Sequence, residues 1–188
     1  MNSNLKNQLV NLSKYLSPKI KKYNFKPNDI TTYGILLNAF ALINLLNQEF
    51  IVFASLFFTA YFCDILDGHY ARTYNMETKN GVYYDRIADW VKLVSTYLVF
   101  THIYHKKINY KIIGITIIVF TLCNIHFTIR KALENNEEDN ICVKIWSKCI
   151  SWISKEKLEK ISKYTRQFDE TMTIVYLIII MFYIHYKN

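Results

Sequence analysis

Five stretches of this chain are nearly free of charge and, as α-helices, would approach the thickness of a membrane. They are residues 30–46, 50–66, 87–104, 112–129 and 171–186. A helix needs about 20 mostly apolar residues to cross a hydrocarbon core of about 30 Å. We therefore predict an all-α polytopic membrane bundle with five transmembrane helices. The alternative is a soluble bundle with helices that are apolar on every side, but a chain of 188 residues would leave little polar surface over them.

The basic residues are distributed unequally around these stretches. The net charge of +8 would suit either nucleic acid or an anionic membrane surface. Eighteen of the 23 Lys and Arg residues lie before the first stretch, between the second and third, or between the fourth and fifth. Cytoplasmic segments of membrane proteins carry such an excess. The pattern favours the lipid bilayer over nucleic acid as the partner and predicts a cytoplasmic N-terminus.

Residues 1–26 form a separate amphipathic segment. Leu5, Leu9, Leu12 and Leu16 recur at helical spacing among Asn, Gln, Ser and Lys, and Pro18 is expected to end the pattern. We predict an interfacial helix with lysines that meet anionic head groups, although a solvated amphipathic helix would give the same pattern. Residues 27–188 are then the transmembrane domain.

Residues 141–153 are too few to span and combine Trp146 and Trp152 with Lys144 and Lys148, so we place this segment at the interface too. It is also the one place where a sixth transmembrane helix would fit. The four cysteines show neither zinc spacing nor a disulfide framework, and the N-terminus lacks a secretory signal.

Four aspartates lie at the ends of the second and third apolar stretches. Asp64 and Asp67 are three residues apart, Asp85 and Asp89 are four apart, and each pair shares one helix face. Antiparallel helices joined by a short loop would bring both pairs to one height, at the inner boundary of the bilayer. Oxygen ligands of this kind suit Mg²⁺ or Mn²⁺, and two such ions about 4 Å apart would form a phosphate-handling centre.

The segment between the two pairs supports this reading. Arg72 is suited to pair with phosphate oxygens, while Gly68 and Gly81 permit close approach of a ligand to the backbone. The plainer alternative is that the acids solvate a loop and pair with Arg72 and Arg86. That alternative explains a single aspartate better than two pairs on shared faces.

The same residues resemble the signature of the CDP-alcohol phosphotransferases (class-I CDP-alcohol phosphatidyltransferases). The matching positions, with both gap lengths, are Asp64, Asp67, Gly68, Ala71, Arg72, Gly81, Asp85 and Asp89. The segment from Pro27 to Thr31 resembles more weakly the stretch that precedes the first span of these enzymes. Beyond about residue 129 the resemblance is loose, and members of this size usually have six spanning helices.

The resemblance implies phospholipid biosynthesis by transfer of a phosphatidyl group from CDP-diacylglycerol to a small alcohol, with release of CMP. It implies two metal ions, Mg²⁺ or Mn²⁺, one held by Asp64, Asp67 and Asp85 and the other by Asp64, Asp85 and Asp89. Asp89 would also be the general base. The donor would be contacted by Gly68, Arg72, Thr78, Asn28 and Thr31.

The acceptor and the assembly are left open. Inositol, inositol phosphate, glycerol 3-phosphate and serine all remain candidates, and His69 and Arg166 give only weak indications toward inositol and toward a phosphorylated acceptor. A homodimer is neither predicted nor excluded. Two other functions fit the residues: a non-catalytic membrane protein that retains the metal and nucleotide-lipid site, and, less well, a cation transporter.

Overall fold

The computed structural model describes residues 4–108, 110–133, 152–165 and 168–187, and these contain helices and turns but no β-strand. The helices are α1 (Asn4–Lys22), α2 (Pro27–Leu46), α3 (Phe50–Thr73), α4 (Lys79–Tyr104), α5 (Tyr110–Leu133), α6 (Lys155–Thr165) and α7 (Glu170–Tyr186). The predicted all-α class is confirmed. Most of the predicted interfacial segment 141–153, together with Arg166, lies outside the described residues.

Three of the described helices are long and apolar enough to cross a membrane. They are α2, α3 and the part of α5 from Tyr110 to Arg130. Only 33% of the apolar window of α2, and the same share of α3, is buried against protein. Apolar helices with so much exposed surface require lipid around them, which argues against the soluble bundle and indicates a multi-pass integral membrane protein.

The count of five spans stays a prediction. Helix α4 has 26 residues, more than enough to span, but it carries charged side chains among its apolar ones. Helix α7 has 17 residues and is apolar over its segment Thr171–Tyr186. Both helices lie where the sequence predicts spans. Helix α4 is long enough but carries charges, and α7 is apolar but shorter than α2, α3 and α5.

The chain forms two compact units. One comprises residues 7–108 with 181–188 and contains α2, α3 and α4, in which α2 packs against both of the others. The other comprises residues 1–6 with 109–180, where α5 packs against α6 and the His126 Nδ1 atom lies 2.9 Å from the Thr165 hydroxyl. The predicted division at residue 26 remains a prediction.

Close packing of α2 on α3 depends on Gly34. A Cβ atom at this position would lie 3.3 Å from the Ala60 carbonyl oxygen and 3.3 Å from the Cys63 Cβ atom. Asn38, one turn further along α2, is buried and forms two hydrogen bonds of 3.3 Å, one with Ser95 and one with Thr96 of α4. These contacts hold α2 against both helices that carry the aspartates.

Pro18 does not end α1, and the prediction that it would is wrong. The helix continues to Lys22. Proline removes one N–H donor from the helix ladder, but Leu16 and Ile20, on either side of it, pack against the cluster of Ile30, Leu66 and Tyr70. This tertiary packing stabilises the last turn and compensates for the lost hydrogen bond.

The four leucines of α1 do not share one environment. Leu9 is buried together with Ser13 and Ser17, whose hydroxyls donate to backbone carbonyls one turn earlier, whereas Leu12 is 44% exposed. The buried face of α1 therefore rests on protein and is partly polar. Whether the exposed face of α1 contacts lipid, as the sequence predicts, stays a prediction.

Candidate metal centre and catalytic site

The site is built where α3 ends and α4 begins. The connecting turn, residues 74–78, is closed by the Met76 N–H, which donates to the Ala71 carbonyl over 2.8 Å. Asn75 adopts a left-handed φ of 53°, which asparagine tolerates better than most residues. Thr78 starts α4 by accepting the Gly81 N–H on its hydroxyl oxygen at 3.0 Å. This short connection brings the end of α3 to the start of α4, and α2 packs against both helices.

Three of the four predicted carboxylates meet. Asp64 of α3 and Asp85 and Asp89 of α4 each offer an oxygen atom within 4.8 Å of the other two. The prediction that the pairs on adjacent helices come together is therefore correct for these three residues. Asp85 has one buried oxygen, Oδ1, with no hydrogen-bond partner among the described residues.

Asp67 lies beside this group without belonging to it. Its side chain is buried, with 4% exposure, and its Oδ2 accepts a hydrogen bond of 2.5 Å from the Thr31 hydroxyl. Its charge interacts with those of Asp85 and Asp64. Thr31 of α2 thus orients the fourth aspartate at the edge of the cluster.

Lys92 joins the cluster from one turn further along α4. Its ammonium donates to Asp64 Oδ1 at 2.9 Å and lies 2.7 Å from Asp89 Oδ1. The Lys92 side chain is 10% exposed, whereas that of Asp89 is 48% exposed. The Lys92 ammonium therefore lies at the buried side of the three carboxylates, and the Asp89 side chain lies at their exposed side.

The residues present fit a divalent cation. Carboxylate oxygens from three side chains within 4.8 Å are the ligands that Mg²⁺ and Mn²⁺ prefer. The unpartnered Asp85 oxygen is of the kind that a bound ion would satisfy, because a buried polar atom normally has a partner. Four neighbouring carboxylates also repel one another, and Lys92 supplies only one compensating charge.

The predicted donor-binding residues lie at the end of α3, at the start of α4 and at the start of α2. A Cβ atom at Gly68 would lie 3.3 Å from the Arg72 guanidinium, and one at Gly81 would lie 3.0 Å from the Thr78 hydroxyl and 3.3 Å from the Asn28 side-chain oxygen. The absence of a side chain at Gly68 and at Gly81 therefore leaves space next to these polar groups. The hydroxyl of Thr31 is engaged by Asp67, and its predicted contact with the donor stays a prediction.

Sequence reasoning missed the role of Lys92. The available signal was a lysine inside an apolar stretch three residues after Asp89, a spacing that places both side chains on one helix face. It also missed the link from Thr32 to Tyr84, with hydroxyl oxygens 2.9 Å apart, which fastens the start of α2 to α4. No local pattern indicates that second contact, since 52 residues separate its partners.

Comparison with known proteins identifies one family. A family model described as CDP-alcohol phosphatidyltransferase matches residues 24–187. The matched region includes helices α2 to α7 and every residue predicted to bind metal or donor. No curated protein and no solved structure matches the chain.

Proposed function

The chain belongs to the CDP-alcohol phosphatidyltransferase family, and from this we propose that it transfers a phosphatidyl group from CDP-diacylglycerol to a small alcohol in the membrane. The observation that carries the proposal is the convergence of Asp64, Asp85 and Asp89 within 4.8 Å, at the spacings of the family signature. Phosphatidyl transfer in phospholipid synthesis is the activity of the family, whereas the donor and acceptor of this chain are proposals.

We assign the binding of two divalent ions to the four aspartates. Asp64 and Asp85 would contribute to both ions, Asp67 to one and Asp89 to the other. Bound metal would neutralise the diphosphate of the donor and the charge that develops on the leaving group. Arg72, with its planar guanidinium, is suited to bind phosphate oxygens beside Gly68.

Asp89 is the proposed general base. It takes the proton of the acceptor hydroxyl, whose oxygen attacks the phosphorus on the diacylglycerol side of the diphosphate. The bond from that phosphorus to the bridging oxygen breaks, and CMP leaves with that oxygen. Asp89 suits this role because its side chain is 48% exposed, so that an acceptor can reach it, while Lys92 holds its other side.

The test is CMP release by the purified protein with Mg²⁺, CDP-diacylglycerol and, separately, inositol, inositol phosphate, glycerol 3-phosphate and serine. We expect one acceptor to support turnover. We expect Asp89→Asn to lower CMP release by at least about 100-fold, because general bases contribute about 10²- to 10⁴-fold to rates. Glu49→Gln is the matched control, since Glu49 is an exposed acid at the opposite end of α3, and its activity should be unchanged.

Two outcomes would contradict the proposal. Full activity of Asp89→Asn would remove that residue as the base. Metal-dependent binding of CDP-diacylglycerol without CMP release for any acceptor would instead favour the non-catalytic alternative, in which the same site serves only to bind the nucleotide lipid.

A further inference from the structure

The proposed chemistry gives Lys92 no part in binding the metal ions, in contacting the donor or in taking the proton. Lys92 lies within the apolar part of α4, and its side chain is 10% exposed. A lysine at such a position is costly unless it is paired. Here the lysine is paired, because the ammonium contacts one oxygen of Asp64 at 2.9 Å and one of Asp89 at 2.7 Å.

Both partners of Lys92 are also proposed metal ligands. Asp64 and Asp89 belong to the group of carboxylates that lies within 4.8 Å, and the Oδ1 oxygen of each is engaged by the ammonium. A divalent ion that binds these two carboxylates must take oxygens from the ammonium or bind close beside it. The two positive charges would repel, and water screens the repulsion poorly at the Lys92 side, where the side chain is only 10% exposed.

We propose that Lys92 is a tethered cation that competes with divalent metal for Asp64 and Asp89, and so sets the metal concentration at which this side of the centre fills. The inference rests on the proposed metal centre. Lys92 is a positioning residue in this scheme: it compensates one negative charge of the two carboxylates before metal binds, and it lowers the affinity of the site for the metal. Arg72 lies close to Gly68, but it is exposed and does not replace Lys92 beside Asp64 and Asp89.

The sign of the effect separates this role from a structural one. A lysine that only supports the fold would, when removed, disorder the carboxylates and weaken metal binding. A competing lysine would, when removed, strengthen it. Lys92→Met removes the charge and keeps most of the side-chain length, Lys92→Gln removes it and keeps a polar end, and Lys92→Arg retains the charge.

The experiment is a Mn²⁺ titration of the full chain in detergent, with free Mn²⁺ measured by electron paramagnetic resonance and with neither donor nor acceptor present. We expect Lys92→Met to bind Mn²⁺ at least about tenfold more tightly than the wild type, which corresponds to about 1.4 kcal/mol. Lys92→Arg should bind about as the wild type does. Lys79→Met, an equal change of net charge at the exposed start of α4, should also leave binding unchanged.

Thermal unfolding with EDTA and with Mn²⁺ keeps the inference testable if a variant is unstable. Lys92→Met and Lys92→Gln should unfold at lower temperature in EDTA, and Mn²⁺ should raise their midpoints by more than it raises that of the wild type. Unchanged or weaker Mn²⁺ binding in both neutral variants, or no recovery by Mn²⁺, would overturn the inference. Since no substrate is present, tighter binding in a protein that never releases CMP would support the role of Lys92 and contradict only the proposed function.

Discussion

The Thr31 hydroxyl donates to the Asp67 carboxylate and so links α2 to the aspartate beside the three clustered carboxylates. The bond is 2.5 Å long and both residues are buried. A buried acceptor that loses its donor is costly. Thr31 therefore matters to the orientation of Asp67 even if it never touches a substrate.

Thr31→Val should destabilise the protein by about 2 kcal/mol, in the range found when a buried acceptor is left without its donor. Valine keeps the shape of threonine and removes only the donor. The measurement is the free energy of unfolding in a mixed-detergent titration. Thr32→Val is the matched control, because the adjacent Thr32 hydroxyl is exposed and bonds the Asn28 carbonyl and the Tyr84 hydroxyl. Equal losses in the two variants would contradict the special role of Thr31.

At the scale of helices, the site depends on how closely α2 approaches α3. The predicted apolar stretches indicate that both helices exist, but not which faces meet. Gly34 permits this contact, because a Cβ atom there would lie 3.3 Å from the Ala60 carbonyl oxygen, so the backbones would have to separate by a few tenths of an ångström. Thr31 lies one turn earlier on α2, so the same approach also places its hydroxyl at Asp67.

Gly34→Leu should therefore destabilise the protein by about 1–3 kcal/mol, the usual cost of forcing extra atoms into a packed interface. It should also weaken Mn²⁺ binding, since α2 would move away from Asp67. The unfolding midpoint and the Mn²⁺ titration measure the two effects. Gly114→Leu on α5 is the control, because a Cβ atom at Gly114 meets nothing within 4 Å; a comparable loss there would refute the packing argument.

Helix α1 illustrates the same dependence on packing. Its sequence contains a proline that, read locally, ends a helix, yet the helix extends four residues further to Lys22. The contacts of Leu16 and Ile20 with the cluster of Ile30, Leu66 and Tyr70 are the reason. They involve residues too far apart in the chain for a local pattern to indicate.

For the whole molecule, the family and the apolar helices agree on a multi-pass membrane protein. Sidedness and the number of spans remain predictions from the basic residues and from the apolar stretches. The two are linked, because an odd number of spans places the two termini on opposite sides of the membrane. The basic residues predict a cytoplasmic N-terminus, and five spans then predict an external C-terminus.

A labelling experiment in intact cells tests this arrangement. Tyr23→Cys, in the exposed turn after α1, and a cysteine tag after residue 188 would be introduced into a variant without native cysteines. A membrane-impermeant maleimide should label the tag in intact cells and Tyr23→Cys only after permeabilisation. Labelling of neither position before permeabilisation would indicate an even number of spans and would contradict the count of five.

The sequence by itself determined the helical class, the positions of the apolar stretches and the pairing of Asp64 with Asp85 and Asp89. These depend on spacing within one helix and on a short connection between neighbours, both of which are local. The tertiary structure alone decided that Asp67 is held by Thr31, that Lys92 engages Asp64, and that α1 continues past Pro18. Each of these depends on the relative rotation and separation of different helices, which side-chain packing sets and which no periodicity in a single helix records.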